Sequence, residues 1–243
     1  MAEKVFLSVV IPAYNEEENI ASTLSEISEH LKGKDFSYEV VLADDGSTDD
    51  TLGKARSFED RLAAFRTIES SPNRGKGYVL RKAMLKADGD YVLFMDADNS
   101  TSIRELDKFL PYFGGGYDIF IASRRIPGAE VEVPVRRKLM GNVYIFLAKA
   151  ILGIRVSDIN CGFKVFRRKV AGDVFSRQTM NDWSFDAEIL YLCKKRGYRV
   201  KEVSVKWVHK DTSKVKPFRD AFRSFMGLMK IKMNALNGRY GKS

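Results

Sequence analysis

Tyr91-Val92-Leu93-Phe94-Met95-Asp96-Ala97-Asp98 is an apolar run closed by two carboxylates two positions apart. A short run of β-branched and aromatic residues with a polar boundary reads as a buried strand. The acids then stand at its carboxyl end. The same arrangement recurs along the first half of the chain. Phe6–Ile11 runs into Pro12, Tyr14 and Asn15; Tyr38–Ala43 runs into Asp44-Asp45-Gly46-Ser47; Phe65–Glu69 precedes Pro72-Asn-Arg-Gly-Lys-Gly77; Ile119–Ala122 runs into Ser123-Arg124. Helical segments fall between these strands. One follows Asn15, placed to cap it with Glu16, Glu17 and Glu18 in the first turn. Others open at Thr48 or Asp49, span Tyr78–Ala87, and span Ile103–Phe113. This alternation predicts an α/β fold, a mostly parallel sheet with helices on both faces. Such sheets hold ligands beyond the carboxyl ends of their strands. Four polar clusters, Pro12-Tyr14-Asn15, Asp44-Asp45, Asp96-Ala-Asp98 and Ser123-Arg124, therefore converge on one rim.

The second half is less regular. The pattern predicts helices over Arg136–Leu152 and Phe185–Lys195, and strands over Phe163–Phe166 and Val203–Val208. Residues 1–210 are expected to form the α/β domain and 211–243 a basic amphipathic tail. Its helix, Pro217–Leu236, gathers Phe218, Phe222, Phe225, Met226, Met229, Met233 and Leu236 within about 100° of arc. Arg219, Arg223 and Lys230 flank that stripe. Two readings follow, an interfacial membrane helix or a terminal helix docked on the core.

The chain has 243 residues, 44% hydrophobic and 30% charged, a globular composition long enough for a substantial core. No apolar stretch reaches the length of a transmembrane helix, and Phe6–Ile11 is too short for a signal sequence. Cys161 and Cys193 make no disulfide framework, so a cytoplasmic setting is expected. From Lys194 onward there are 15 Lys and Arg against 3 acids, while the rest is nearly neutral. That asymmetry predicts a polyanionic partner, nucleic acid or an anionic membrane surface, or else a solvated basic face.

Paired carboxylates at a strand end suit Mg²⁺ or Mn²⁺ shared with phosphates. Asp44 and Asp45 stand where an acid meets a nucleotide, with Pro12, Tyr14 and Glu16 as the adjoining wall. There is no G-x-G-x-x-G after the first strand and no P-loop, which disfavours a dinucleotide cofactor or a P-loop phosphotransferase. Asn73-Arg-Gly-Lys-Gly77, with Lys76, either approaches a diphosphate or only opens a helix. Arg124, Arg125 and Arg136-Arg-Lys138 offer five cations, four of them guanidinium forks, for a second phosphate-bearing substrate, or else form a solvated basic loop. His30 and His209 neighbour no nucleophile, so a Ser or Cys triad has little support.

Together these segments resemble the inverting glycosyltransferases of family 2 with the GT-A fold. Val9-Val-Ile-Pro-Ala-Tyr-Asn-Glu16, Ala43-Asp-Asp-Gly-Ser-Thr-Asp49, Asn73–Gly77, Met95-Asp-Ala-Asp98 and Ala122-Ser-Arg124 carry the broad likeness. Asn160-Cys-Gly-Phe-Lys164, Trp183-Ser-Phe-Asp-Ala-Glu-Ile-Leu190 and Ser213-Lys214 narrow it to the dolichyl-phosphate glucose and mannose synthases, the glucosyl branch above all. The resemblance implies that Pro12, Tyr14, Glu16 and Asp44 hold the nucleotide, and that Asp96 and Asp98 bind the metal and the donor diphosphate. Arg124 and Arg136 would face an acceptor phosphate, with Lys164 and Lys214 as weaker candidates. Asp186 and Glu188 stand where relatives with hydroxyl acceptors place a catalytic acid. Ser100 occupies a position where many mannose synthases carry a metal-assisting Gln, which leaves a third side-chain ligand unsupported.

The function so implied is transfer of a hexose from a nucleotide sugar, UDP-glucose favoured, to a polyprenyl (dolichyl) phosphate by a protein lying peripherally on the cytoplasmic membrane face. GDP-mannose as donor and a glycan hydroxyl as acceptor stay open. A non-catalytic nucleic-acid or membrane-surface binder would leave the Asp96/Asp98 pair unexplained, so no nucleic-acid partner is expected.

Overall fold

The computed structural model describes residues 4–62, 64–131, 135–208 and 217–241. Among the described residues nine strands form two sheets. The larger contains β1 (Leu7–Ala13), β2 (Tyr38–Asp44), β3 (Phe65–Glu69), β4 (Tyr91–Met95), β5 (Ile119–Ser123), β7 (Phe163–Arg167) and β8 (Val200–Ser204), in the order β3-β2-β1-β4-β7-β5-β8. All run parallel except β7, which lies antiparallel between β4 and β5. β6 (Glu130–Val131) and β9 (Lys206–Trp207) form a separate parallel pair.

Each central strand is apolar on both faces because helices cover both. On one side Val9, Ile11, Leu42 and Leu93 pack with Ile20, Leu24 and Ile27 of α1 (Ile20–Leu31), and with Ile103 and Leu106. On the other, Val10, Val41, Val92 and Phe94 meet four helices: α3 (Lys76–Met84), α4 (Val135–Leu152), α5 (Arg168–Arg177) and α6 (Phe185–Lys195). The short α2 (Thr51–Arg56) and the final α7 (Pro217–Leu236) complete the set.

Several sequence expectations need correction. Asn15 does not cap α1: its backbone is left-handed (φ 54°) and its side-chain oxygen accepts from the Thr48 amide at 2.8 Å, joining the loops after β1 and β2. The helix starts only at Ile20. Asp50, not Thr48 or Asp49, precedes α2, while Asp49 accepts bonds from Thr51. The segment Ile103–Phe113 forms two 3₁₀ turns, Ile103–Lys108 and Leu110–Tyr112, because Pro111 has no amide hydrogen to continue a helix. Val203–Val208 is not one strand, since the chain leaves β8 after Ser204 and pairs again as β9 against β6. Helix α5 was not anticipated, although Val170, Ala171, Val174 and Phe175 carry helical spacing and are all buried.

The tail helix docks on the core through one face and leaves another bare. Leu228 and Ile231 are fully buried, and the Asn234 amide donates to Thr179 Oγ1 at 2.9 Å. Tyr240, just beyond the helix, is buried and donates to the Glu188 carboxylate at 2.7 Å. A Cβ at Gly227 would lie 2.0 Å from Ser184 Oγ, so the glycine permits this close approach. Phe222, Phe225, Met226, Met229, Met233 and Leu236 remain exposed, as do Val143 and Phe146 on α4. No helix among the described residues is long and apolar enough to cross a membrane.

Candidate functional site

The rim of the sheet is built by the turns that follow β1, β2 and β4, joined by the start of α3. Asp44 ends β2 and Asp45 follows it, both buried. Asp44 accepts from the Gly46 and Ser47 amides at 2.9 and 3.0 Å and from the Ser47 hydroxyl at 2.5 Å, which shapes its own turn. Asp45 accepts from the amides of Arg74 and Gly75 at 3.0 and 2.7 Å, tying the second turn to the entrance of α3. Pro12 is buried in β1 opposite Ala43, and Tyr14 stands exposed just beyond the strand.

The glycines of Asn73–Gly77 answer to protein packing. A Cβ on Gly75, whose φ is 101°, would lie 2.4 Å from the Asn181 carbonyl oxygen, and one on Gly77 would lie 2.6 Å from that of Met180. The Gly77 amide donates to the Asn181 carbonyl at 2.8 Å. This close packing delivers Lys76 into the rim.

Lys76 pairs with the Asp96 carboxylate, and its ammonium lies 4.9 Å from the centre of the Trp183 ring. Burial opposes the charge on Lys76, yet Asp96, Asp186 and Asp98 hold its pKa above the ordinary lysine value. The Glu16 carboxyl is raised, first by burial and then by the negative charges of Asp98 and Asp96, while Asn19 and Lys76 work against the shift. Glu16, Lys76, Asp96 and Asp98 thus form one electrostatic cluster. Asp98 Oδ1 accepts from the Ser100 amide at 2.9 Å, which fixes the turn after β4.

Asn160-Cys-Gly-Phe-Lys164 acquires a physical meaning here. A Cβ on Gly162 would sit 1.9 Å from Asp96 Oδ2, so only glycine leaves space for that carboxylate. Lys164, opposite Phe94 in the sheet, is fully buried. It donates to the Cys161 carbonyl at 2.8 Å and to Asp186 Oδ1 at 2.5 Å. Burial raises the Asp186 carboxyl, against the pull of Lys164 and Lys76. Lys164 therefore has no surface to offer an acceptor phosphate in this conformation, which corrects the expectation that it faces one. It is a counter-ion inside the sheet.

Arg124 is also engaged. Its Nε and Nη2 donate to Asp158 at 2.7 and 2.9 Å, and its own amide donates to the same carboxylate at 3.1 Å. This fork uses two of the five guanidinium N–H groups, and the guanidinium carbon lies 5.4 Å from the centre of the Trp207 ring. Asp158 was not singled out from the sequence; the only signal was an acid two positions before Asn160. Arg136 lies in the first turn of α4, where only the backbone is described, and Lys214 lies outside the described residues. Glu188 lies away from the rim cluster: it accepts from the Thr179 and Met180 amides and from Tyr240, a structural role in packing the tail.

A family model for glycosyl transferase family 2 matches residues 8–175, which span β1 to α5 and so contain every rim turn. The chain belongs to glycosyltransferase family 2. Among curated relatives, the dolichyl-phosphate beta-glucosyltransferase of Drosophila melanogaster is 35% identical over 231 residues, covering 87% of this chain and 70% of that protein. The enzyme of the same name from Saccharomyces cerevisiae is 32% identical over 258 residues, covering 98% and 77%. Among solved structures, glucosyl-3-phosphoglycerate synthase of Mycobacterium tuberculosis, in complex with Mn²⁺, UDP and glucosyl-3-phosphoglycerate, superposes with a TM-score of 0.67 at 20% identity, covering 98% of this chain and 81% of that one. The latter supports the family 2 GT-A fold, and with it the expected mostly parallel sheet.

Family 2 membership gives the carboxylates after β4 a test of fit to a divalent cation. Asp96 and Asp98 would supply hard oxygen ligands, and no cluster of three or more acid, His or Cys ligands occurs among the described residues. Two protein carboxylates completed by substrate phosphate oxygens match the usual binding of Mg²⁺ or Mn²⁺. Lys76 occupies one oxygen of Asp96. The donor set fits a metal brought in together with a diphosphate.

Proposed function

We propose that this family 2 glycosyltransferase transfers a hexose, with inversion, from a nucleotide sugar to a polyprenyl phosphate, with UDP-glucose as the favoured donor. The single observation carrying the donor half is the cluster of Glu16, Lys76, Asp96 and Asp98 at the end of β4. Pro12, Tyr14, Glu16, Asp44 and Asp45 form the nucleotide wall, Lys76 meets the diphosphate, and Asp96 and Asp98 hold the cation. A bound Mg²⁺ or Mn²⁺ would supply neutralisation of charge on the departing diphosphate.

The acceptor half rests on the relatives' activity and on the chemistry of the carboxyls. A phosphate monoester has a second pKa of about 6 and is mostly ionised at neutral pH, so it attacks without a general base. A sugar hydroxyl would need an open carboxylate within hydrogen-bond reach. Asp186 is buried and already bonded to Lys164, which disfavours that second reading. Arg124, Arg136 and Lys214 are the cations assigned to the acceptor phosphate. GDP-mannose remains the alternative donor.

The exposed Phe/Met face of α7 and the exposed Val143 and Phe146 of α4 support peripheral attachment to the cytoplasmic face of a membrane, where such an acceptor resides. The deciding experiment is a donor panel with purified protein, Mg²⁺ or Mn²⁺, and a short polyprenyl phosphate. The expected result is chelator-sensitive glucosyl transfer from UDP-glucose, exceeding that from UDP-galactose, UDP-N-acetylglucosamine and GDP-mannose. Donor hydrolysis without lipid product would overturn the acceptor assignment.

A further inference from the structure

Trp183 is 73% exposed, although an indole is among the largest apolar surfaces a chain can carry. The backbone around it is firmly held. The Met180 amide donates to Glu188 at 2.8 Å, the Asn181 carbonyl accepts from Gly77, and the Ser184 amide donates to Asp182 at 2.9 Å. Two glycines let neighbouring elements close onto this segment: Gly75 on the side of α3 and Gly227 on the side of α7. The segment is thus wedged between the helix that presents Lys76 to Asp96 and the helix that carries the bare Phe/Met stripe.

We infer that Trp183 contacts the isoprenoid chain of the acceptor next to its phosphate, and so selects prenyl phosphates over phosphates without such a chain. This rests on the reading of the acceptor as a polyprenyl phosphate. Such a molecule has a doubly charged head, which must reach the donor, and an apolar chain, which must leave towards a lipid phase. The route between the carboxylate cluster and the α7 stripe needs an apolar step. Trp183 supplies it: the ammonium of Lys76 sits over the ring, marking the polar end of the route, and Ser184 contacts Gly227, marking the start of the apolar end. A rigid indole on a pinned backbone loses little entropy on contact with a branched hydrocarbon.

The test is steady-state kinetics in detergent, with farnesyl phosphate and methyl phosphate as acceptors at saturating donor. Trp183→Ala is expected to raise KM for farnesyl phosphate about tenfold or more, as the loss of a partly buried aromatic contact predicts. The KM for the donor and the rate with methyl phosphate should stay within about twofold of wild type, an effect of under 0.5 kcal/mol. Trp183→Phe should recover most of the farnesyl preference. A raised donor KM, or a fall in kcat at unchanged acceptor KM, would overturn the assignment and place the indole against the hexose or the reacting centre.

A binding readout separates this inference from the functional reading beneath it. With Trp207→Phe, Trp183 is the one remaining tryptophan of the two in the chain. Farnesyl phosphate should shift its emission to the blue and shield it from acrylamide, whereas methyl phosphate should not. Binding of this kind without any transfer would sink the reaction and keep the contact; transfer without any fluorescence response would do the reverse.

Discussion

Lys164 and Asp186 form an ion pair at 2.5 Å inside the protein, with the lysine side chain wholly buried and the aspartate 7% exposed. β7 and α6, which are remote in sequence, each contribute one charge. Removing one partner of such a pair leaves the other uncompensated in a low-dielectric site, and costs about 3–5 kcal/mol. Asp186→Asn is therefore expected to destabilise the fold by about that amount in urea unfolding. Its activity per folded molecule should fall much less than that of Asp98→Asn. Lys164→Met combined with Asp186→Leu should recover much of the lost stability, because no orphan charge remains.

The two carboxylates after β4 are expected to be indispensable. Asp98→Asn should lower turnover by about hundredfold or more while leaving the unfolding midpoint near wild type, since a metal-held diphosphate is worth several kcal/mol. Chelator should abolish wild-type turnover, and added Mn²⁺ or Mg²⁺ should restore it. A variant that retains full metal-dependent activity would remove Asp98 from the site.

Gly162→Ala tests the packing of Asp96 without altering its charge. The new methyl would meet the carboxylate at 1.9 Å and must displace it. The expected outcome is a loss of about tenfold or more in Mn²⁺ affinity measured with UDP present, the range seen when a metal ligand is mis-set. Circular dichroism should remain that of the wild type.

Arg124 and Asp158 predict an acid-sensitive contribution to stability. Burial pushes the Asp158 carboxyl up, but the bonds and charge of Arg124 outweigh it, and the folded pKa lies below the ordinary aspartate value. The unfolded chain then binds the proton more readily, so this stabilisation is complete above that value and is lost as pH falls through the folded pKa. In urea melts, the gap in stability between wild type and Asp158→Asn should be constant near neutrality. It should shrink below about pH 4, where the unfolded carboxyl begins to protonate.

The two faces of α7 should respond oppositely. Leu228→Ala is expected to cost about 2–5 kcal/mol of stability by opening a cavity. Met226→Ser combined with Met233→Ser should leave stability nearly unchanged but weaken sedimentation with vesicles containing anionic phospholipid. Equal vesicle binding by wild type and the double variant would refute the membrane role of the stripe.

Much of the fold was legible because local and global preferences agree. Phe65–Glu69, Tyr91–Met95 and Phe185–Lys195 have the bounds their hydrophobic patterns predict. The convergence of turns on one rim followed from strand direction alone. What the pattern lacked was pairing at a distance. Nothing near Lys164 in sequence reports that Asp186 will neutralise it, and nothing near Arg124 reports Asp158, 34 residues away. A lysine between Phe163 and Val165 looks like a strand's polar face until β7 is seen to lie between two other strands. Asn15 failed as a cap for a similar reason, since its partner is Thr48 on another turn.

The placement of β7 bears on how the molecule is made. Among the described residues β5 pairs with β7 and β8 alone, and β4 reaches β5 through β7. A nascent chain that has emerged as far as Ser123 can zip β1, β2, β3 and β4 together, but β5 must wait for a partner that follows α4. The Asp96 turn is likewise unfinished until Gly162 arrives, because the Asp96 amide donates to the Gly162 carbonyl at 3.0 Å. Ribosome-bound chains halted before residue 160 should therefore expose β5 to chaperones and proteases, and nucleotide binding should first appear once α6 has emerged, with Asn181 against Gly77 and Asp186 against Lys164.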